Sequence, residues 1–320
     1  MRVAAIDLGT NSTRLLVADV EDGRLVDVER DTRITRLGEG VDERRRLLPL
    51  PVTRVRNVLT GYRRRLESQG AERTLAIATS AVRDAENGEA FLGEIEWSYG
   101  FTTRLLSGQD EALMMFRGVT AERELAGGTV IVDVGGGSTE LVAGEPAGVT
   151  WHDSLDIGSG RLTERALRSD PPTDVELEAS MAAVRALLAE RVPDEVRAGA
   201  RSAIGVAGTI TSIAALALGL QEYDRDRVHG FELTAGALDF QLRRLASVTV
   251  DERRKMRPLD PERAPVIVAG ALIAREVLAF FGLDVLEISE RDILDGAALA
   301  AADLPAAEEG AAPPGAYTCC

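Results

Sequence analysis

Two short polar turns in the sequence combine residue types that bind phosphate. Residues 7–13 read Asp-Leu-Gly-Thr-Asn-Ser-Thr, and residues 133–139 read Asp-Val-Gly-Gly-Gly-Ser-Thr. Each turn lies between two apolar runs of strand length, so each is predicted to connect the strands of a β-hairpin. A tight turn of this kind presents several backbone N–H groups on one side with hydroxyl groups beside them, and such an arrangement binds anions.

The side chains of the two turns predict how a phosphate would be held. Gly135, Gly136 and Gly137 permit backbone angles and a close approach that a side chain would prevent. The neutral donors beside them are Thr10, Asn11, Ser12, Ser138 and Thr139. Asp7 and Asp133 stand at the strand ends, where a carboxylate can hold a divalent cation directly or through water. Glycine-rich hairpin turns are common in proteins, but two in register, each preceded by Asp, favour phosphate binding.

Several other kinds of site are excluded. The GGGST turn has no following Lys and leads into a strand rather than a helix, so it is not a Walker loop, and it is not a dinucleotide fingerprint. Lys255 is the only lysine in the chain, which leaves little room for lysine chemistry. The only cysteines, Cys319 and Cys320, stand at the end, which argues against a cysteine nucleophile, a zinc site and a disulfide framework and favours a reducing cytoplasm.

The apolar pattern predicts an α/β protein. Strands are predicted at 3–8, 14–20, 25–36, 74–79, 102–106, 130–134, 140–143 and 285–289. Helices are predicted at 52–68, 87–97, 110–119, 160–168, 174–190, 234–247, 261–281 and 292–302, with an apolar run at 210–218.

The sequence contains evidence of a duplication. The two polar turns superimpose at an offset of 126 residues, and LAIATS (75–80) resembles IGVAGT (204–209) at nearly the same offset. The economical interpretation is two related domains, at 1–120 and 121–302. Residues 303–320, rich in Ala, Pro, Glu and Gly, are predicted to form a disordered tail.

Charge and composition restrict the partners. The chain of 320 residues carries 37 Lys+Arg and 52 Asp+Glu, a formal net charge of −15, which argues against a general nucleic-acid binder. The acidity is uneven, since residues 1–120 have a net charge of −1 and residues 121–320 one of −14. Arginines at 44–46, 54, 56 and 63–65 could therefore guide a polyanion along the first domain, although solvated helix faces explain such runs equally simply. No apolar run is long enough to span a membrane, so a cytoplasmic protein without membrane contact is expected.

The motifs resemble those of one enzyme family. Paired hairpin loops from duplicated domains resemble the actin, Hsp70 and sugar kinase superfamily. Within it the chain is similar to the exopolyphosphatase and guanosine pentaphosphate phosphatase (Ppx/GppA) family over nearly all of residues 1–302. The matching runs are AIDLGTNSTRLL (5–16), RLGEGVD (36–42), ATSAVRDAEN (78–87), LLSGQDEA (105–112), VDVGGGSTEL (132–141), GVAGTITSIAAL (205–216) and ERAPVIVAGALI (262–273).

This resemblance implies a fold, an activity and a cofactor. The fold would be two duplicated actin-like (ribonuclease H-like) domains with a cleft between them, the last helix (292–302) packing back on the first. The activity would be hydrolysis of the terminal phosphate of inorganic polyphosphate, with Mg²⁺ or Mn²⁺. The alternatives are the 5′-phosphohydrolysis of guanosine pentaphosphate or of a nucleoside triphosphate and, more distantly, an actin-like kinase or switch. Longer members carry a further C-terminal helical region, and its absence here predicts a preference for short chains. A homodimer would supply further basic surface for a polyanion.

The same resemblance assigns roles to individual residues. It places the catalytic glutamate at Glu111, where a carboxylate could deprotonate the attacking water, although an acidic residue at a helix start also favours the helix dipole. Asp110 is assigned only that second role. Arg83 is expected to bind two phosphate oxygens. Glu140 is expected to share the metal with Asp133, or else to face outward from its strand.

A loop of the second domain completes the predicted site. Gly208 and Thr209 resemble the superfamily loop that contacts phosphate or nucleotide. The family more often has two glycines at this turn, whereas this chain has Ala207 and Gly208. We expect the methyl group of Ala207 to alter how closely a substrate approaches.

Overall fold

The computed structural model describes residues 1–305. Its strands are β1 (Arg2–Leu8), β2 (Ser12–Glu21), β3 (Arg24–Ile34), β4 (Arg73–Ala78), β5 (Thr102–Leu105), β6 (Thr129–Val134), β7 (Thr139–Glu145), β8 (Gly148–Leu155), β9 (Ser202–Val206), β10 (Glu232–Thr234) and β11 (Val285–Ile288). Its helices are α1 (Val41–Arg44), α2 (Pro49–Gln69), α3 (Ser80–Arg83), α4 (Gly88–Tyr99), α5 (Gly108–Val119), α6 (Ser159–Ala166), α7 (Asp174–Arg191), α8 (Asp194–Gly199), α9 (Ala207–Ala217), α10 (Arg225–Val228), α11 (Ala235–Ala246), α12 (Val250–Arg253), α13 (Ile267–Phe281) and α14 (Ile293–Ala302).

The chain divides into two compact units. Unit 1 comprises Met1–Arg123 and a second segment that begins at Ile293, and unit 2 comprises Glu124–Asp292. Each unit contains one mixed sheet and its own core of Leu, Val, Ile and Ala side chains. Helix α14 therefore belongs to unit 1, although it follows the whole of unit 2 in the chain.

The two sheets have the same strand order. In unit 1 the order is β3-β2-β1-β4-β5, in which β1, β2 and β3 are antiparallel and β4 and β5 run parallel to β1. In unit 2 the order β8-β7-β6-β9-β11 repeats this pattern, and β10 is added antiparallel to β11. The predicted α/β fold with two duplicated actin-like (ribonuclease H-like) domains is confirmed.

Helix α14 packs closely on unit 1. A Cβ on Gly296 would overlap the carbonyl oxygen of Met114 in α5, so a glycine is needed where the two helices approach. Asp295 is fully buried and pairs with Arg30 of β3. The Ala302 carbonyl accepts a hydrogen bond from Arg73 at the start of β4.

Some predicted boundaries were wrong. Strand β8 was not predicted, because residues 148–154 are partly buried without a two-residue alternation. The helix predicted at 261–281 begins only at Ile267, because residues 261–266 form turns. Of the predicted tail, residues 306–320 with Cys319 and Cys320 lie outside the described residues. No helix within residues 1–305 has the length and apolar character needed to cross a membrane.

Candidate active site

The polar turn of unit 1 is a tight hairpin whose backbone is held from one side. The amide of Gly9 donates to the Ser12 carbonyl at 3.0 Å and closes the turn. The Thr10 carbonyl accepts from Gly38 at 2.9 Å, and the Asn11 carbonyl accepts from Arg36 at 2.9 Å. Because the peptide unit is planar and trans, binding of the Thr10 carbonyl directs the Asn11 N–H to the opposite side. The turn thus has the donor arrangement of a phosphate site.

A second loop supports this turn. Strands β1 and β4 are parallel, so residues 79–83 lie beside the turn at the carboxyl edge of the sheet. The Thr10 and Ser80 hydroxyl groups are hydrogen-bonded at 2.8 Å. A Cβ on Gly38 would overlap the Thr10 Cγ2 and contact Ala81, so the loop that contains Gly38 packs against both neighbouring loops.

Asp7 lies at the end of β1 and is paired with an arginine. Its cross-strand neighbour is Arg14, whose Nε and Nη2 lie 2.9 and 2.7 Å from the Asp7 Oδ2. The Asp7 residue is only 5% exposed. Its charge is therefore balanced within unit 1, and direct coordination of a metal would have to use the other carboxylate oxygen.

The half-buried Arg83 and the buried Glu111 form an ion pair at the same edge. Arg83 ends α3, and its Nη1 donates to the Leu106 carbonyl at 2.9 Å and to the Glu111 Oε2 at 3.1 Å. The Glu111 residue is 6% exposed, in the first turn of α5. The Nε and Nη2 hydrogens of Arg83 are not used by these two bonds and can donate to phosphate oxygens.

Asp110, next to Glu111, has a different role. The Ser107 hydroxyl accepts from the Asp110 amide at 3.1 Å, while the Asp110 carboxylate accepts from the Ser107 amide at 3.3 Å and from its hydroxyl at 2.6 Å. This reciprocal capping box begins α5. The prediction that Asp110 serves the helix start is confirmed.

The polar turn of unit 2 has the same closure but a different support. The Gly135 amide donates to the Ser138 carbonyl at 3.0 Å. The Gly135 and Gly136 carbonyls accept from the first amides of α6, at 2.8 Å from Ser159 and 2.9 Å from Gly160. A Cβ on Gly158 would lie 2.6 Å from the Gly136 carbonyl carbon and oxygen. Because the Gly136 carbonyl is bound in this way, the Gly137 N–H points to the opposite side.

The hydroxyl and carboxyl groups around this second turn are mostly buried. The Thr139 hydroxyl donates to the Ile157 carbonyl at 2.6 Å and ties β7 to the loop before α6. Asp133 and Glu140 are cross-strand neighbours in β6 and β7. Glu140 is 4% exposed, and its Oε1 accepts from the Ser154 hydroxyl at 2.9 Å. Two carboxylates thus face each other where unit 1 has a carboxylate and a guanidinium.

The Ala207 turn lies at the carboxyl end of β9, which is parallel to β6. Ala207 has a φ of 62°, a left-handed conformation that costs a residue with a Cβ about 1–2 kcal/mol. The Arg263 guanidinium covers Gly208, since a Cβ there would overlap it. A Cβ on Gly270 of α13 would overlap the Thr209 Cγ2, so this glycine lets α13 pack against the turn.

A polar loop at 219–229 borders the carboxyl end of β11. The Tyr223 hydroxyl donates to Glu290, and the Arg225 Nε donates to the Glu290 Oε2 at 3.1 Å. Burial raises the pKa of Glu290 above its ordinary value, although Tyr223 and Arg225 oppose the shift. The His229 Nδ1 accepts from the Glu290 amide at 3.1 Å, which gives this histidine a structural partner.

The predicted site residues fall into two groups, one in each unit. Those of unit 1 lie at the carboxyl edge formed by β1, β4 and β5: Asp7, Thr10, Asn11, Ser12, Arg83 and Glu111. Those of unit 2 lie at the edge formed by β6 and β9: Asp133, Gly135, Gly136, Gly137, Ser138, Thr139, Glu140, Gly208 and Thr209.

Sequence reasoning missed the partners of these residues. Ser80, Ser154 and Arg263 contact predicted residues across long stretches of chain. Arg14 could have been found from the sequence. The offset of 126 makes it the residue of the first repeat that is equivalent to Glu140, and the register of a hairpin places it beside Asp7.

Comparison with known proteins gives consistent matches along the chain. The Ppx/GppA phosphatase family model matches residues 16–302. Exopolyphosphatase 2 of Mycobacterium tuberculosis is 43% identical over 318 residues, covering 94% of this chain and 98% of that protein. The crystal structure of the Aquifex aeolicus Ppx/GppA family member superposes with a TM-score of 0.81 at 32% identity and covers 98% of this chain and 99% of that one.

A more distant relative is named for a guanosine nucleotide substrate. The guanosine-5′-triphosphate,3′-diphosphate pyrophosphatase of Aeromonas hydrophila is 27% identical over 301 residues, covering 92% of this chain and 58% of that protein. The family match extends over both units and includes every motif described above from residue 16 onward. The chain belongs to the Ppx/GppA phosphatase family.

Proposed function

We propose that the protein is an exopolyphosphatase, which hydrolyses the terminal phosphoanhydride bond of inorganic polyphosphate. The observation that carries the proposal is the buried Glu111 carboxylate, held by Arg83 at the same sheet edge as the Thr10 turn. Family membership and the 43% identity to an exopolyphosphatase support it.

Glu111 is the proposed general base. Its carboxylate accepts a proton from the attacking water while the water oxygen forms a bond to the terminal phosphorus and the bridging oxygen leaves with the shortened chain. The Arg83 bond orients the carboxylate, and the Leu106 carbonyl in turn orients Arg83. The remaining Arg83 hydrogens bind oxygens of the terminal phosphate, as the fork of a guanidinium allows.

Each polar turn is also proposed to bind phosphate oxygens, the first within unit 1 and the second within unit 2. The Asn11 and Gly137 N–H groups point away from the carbonyls that hold each turn, and neutral donors from backbone amides stabilise phosphate charge. The hydroxyls of Thr10, Ser12 and Ser138 stand beside them. Gly208, Thr209 and the buried Thr139 complete the proposed set, Thr139 as a support of the turn because its hydroxyl is bonded to Ile157.

For a divalent cation, we propose Asp133 and Glu140 as the ligands. Their carboxylates face each other across β6 and β7, and Mg²⁺ or Mn²⁺ prefers oxygen donors. Within residues 1–305 no group of three or more His, Cys, Asp or Glu is placed to hold a metal, and two carboxylates with substrate phosphate suit Mg²⁺. When bound, the cation would offset the phosphate charge. Asp7, paired with Arg14, stays a prediction as a ligand.

The test is phosphate release from polyphosphate with the wild type, Glu111→Gln and Asp110→Asn. The glutamine should lower kcat by about 10² to 10⁴-fold because it cannot accept the proton. Asp110→Asn is the matched control, since it neutralises the adjacent carboxylate and can keep the helix cap. An inactive wild type, or a Glu111→Gln variant as active as Asp110→Asn, would contradict the proposal.

A second candidate is 5′-phosphohydrolysis of guanosine pentaphosphate, which the relative from Aeromonas hydrophila favours. The chemistry at the terminal phosphate is the same, so the two candidates differ only in what lies beyond it. Competition between polyphosphate and guanosine pentaphosphate in one assay distinguishes them, because the preferred substrate has the higher kcat/KM.

A further inference from the structure

The arginines of unit 1 differ in whether they are paired. Four of the eight arginines in the runs noted above contact an acidic side chain: Arg54 with Glu39, Arg56 with Glu94, Arg63 with Glu67, and Arg65 with Glu29 and Asp31. Arg44, Arg45 and Arg46, by contrast, are consecutive and exposed, and their side chains make no ion pair or hydrogen bond within residues 1–305. The nearby acids Glu43 and Glu86 are exposed as well and pair with none of the three.

This run of three arginines is hydrogen-bonded to the segment that follows Arg83 of the proposed catalytic pair. The Arg45 carbonyl accepts from the Glu86 amide at 2.8 Å. The Asn87 side chain binds Leu47 twice, accepting from its amide at 2.8 Å and donating to its carbonyl at 3.1 Å. Glu86 follows Arg83 by three residues, which span at most about 11 Å of extended chain.

In the chain, the run follows the segment that packs against the Thr10 turn. Gly38 lies against Thr10, and the Arg54 side chain fixes this segment by donating to the Thr35 carbonyl at 2.6 Å. Helix α1 leads directly from there into Arg44. Arg45 itself has a φ of 53° and ends α1, so the run lies at a turn of defined backbone conformation.

We infer that Arg44, Arg45 and Arg46 form a polyanion subsite that binds phosphates of the polyphosphate chain beyond those held at Arg83 and the Thr10 turn. This inference rests on the proposed function. Guanidinium groups keep their charge at any working pH and bind phosphate oxygens in pairs. Because the acids beside them leave them unpaired, no internal ion pair has to be broken when a polyanion binds. A substrate with only a few consecutive phosphates would not reach the run.

The test compares chain lengths in the variant Arg44→Gln/Arg45→Asn/Arg46→Gln, in which Asn suits the left-handed position of residue 45. For a size-fractionated polyphosphate of medium length, KM should rise about 10-fold at unchanged kcat. For tripolyphosphate, both constants should stay at the wild-type values, which also shows that the variant folds. The dependence of KM on salt concentration should become less steep for the longer substrate.

The matched control is Arg24→Gln/Arg168→Gln/Arg243→Gln. It removes three exposed arginines and the same charge from other surfaces, so it should leave both KM values unchanged. An equal rise for both substrates, an equal effect of the control, or no rise at all would overturn the subsite. A wild type that releases no phosphate from either substrate would instead overturn the proposed function.

Discussion

The two polar turns have nearly the same backbone but opposite charges beside them. Both are closed by a hydrogen bond of 3.0 Å, from Gly9 to Ser12 in unit 1 and from Gly135 to Ser138 in unit 2. The residue opposite the aspartate is Arg14 in unit 1 and Glu140 in unit 2. The duplicated backbone thus provides two similar turns, and one cross-strand position places a guanidinium beside the aspartate in the first and a second carboxylate beside it in the second. A cation is therefore better suited to the second.

The two turns also differ in what packs against them. In unit 1 a glycine meets a side chain, because Gly38 lies against the Thr10 Cγ2. In unit 2 a glycine meets backbone, because Gly158 lies against the Gly136 carbonyl. A side chain can rotate or be shortened, whereas a carbonyl cannot move without the turn. The second turn should therefore be less tolerant of substitution.

The largest effect is expected from changing the residue opposite the aspartate. Glu140→Gln should raise the Mg²⁺ concentration for half-maximal activity by about 10-fold or more, because one of two proposed ligands loses its charge. The equivalent change in unit 1, Arg14→Gln, should leave this concentration unchanged. Calorimetric titration with Mn²⁺ provides a readout that does not depend on activity. If Glu140→Gln and Arg14→Gln change the Mg²⁺ concentration for half-maximal activity equally, the proposed difference between the two turns is contradicted.

A smaller effect is expected from adding a methyl group behind each turn. Gly158→Ala should lower the free energy of unfolding by about 1–3 kcal/mol, because the new Cβ has no room beside the Gly136 carbonyl. Gly38→Ala should lower the free energy of unfolding by less. Adding Thr10→Ser to the Gly38→Ala variant should restore its stability, because serine lacks the Cγ2 and keeps the hydroxyl that is hydrogen-bonded to Ser80. Urea unfolding of the three variants measures this. If adding Thr10→Ser does not restore stability, the overlap with the Thr10 Cγ2 is not what destabilises the Gly38→Ala variant.

The smallest effect concerns the turns after the parallel strands. Ala207→Gly should raise the free energy of unfolding by about 1 kcal/mol, because glycine removes the strain of a positive φ. Ala78, its counterpart in the LAIATS repeat, is a buried strand residue, so Ala78→Gly should be destabilising. Thermal unfolding of the two variants tests the contrast. A destabilised Ala207→Gly variant would mean that the methyl packing outweighs the strain.

Sequence patterns predicted the elements wherever the apolar period was strong. Strand β1 and helix α2 were predicted to within three residues at each end, because an apolar run marks β1 and apolar residues at intervals of three and four mark α2. Strand β8 was missed although the duplication implied a counterpart of β3. Its residues are partly exposed on both faces, so they carry no alternation to detect. The start of α13 was misplaced because the turns of residues 261–266 precede it.

The sequence by itself determined the duplication and the two turns, since these depend on residue types and spacing along the chain, and its resemblance to one enzyme family implied the candidates Glu111 and Arg83. The tertiary structure alone decided which groups face each other. It paired Asp7 with Arg14 and joined Arg83 to Glu111 across 28 residues. It left Arg44–Arg46 unpaired within residues 1–305, whereas Arg54, Arg56, Arg63 and Arg65 form ion pairs with acidic side chains. The physical reason is that sheet register and loop packing set the distances between side chains, and charges separated along the chain interact only when folding places them within a few ångströms.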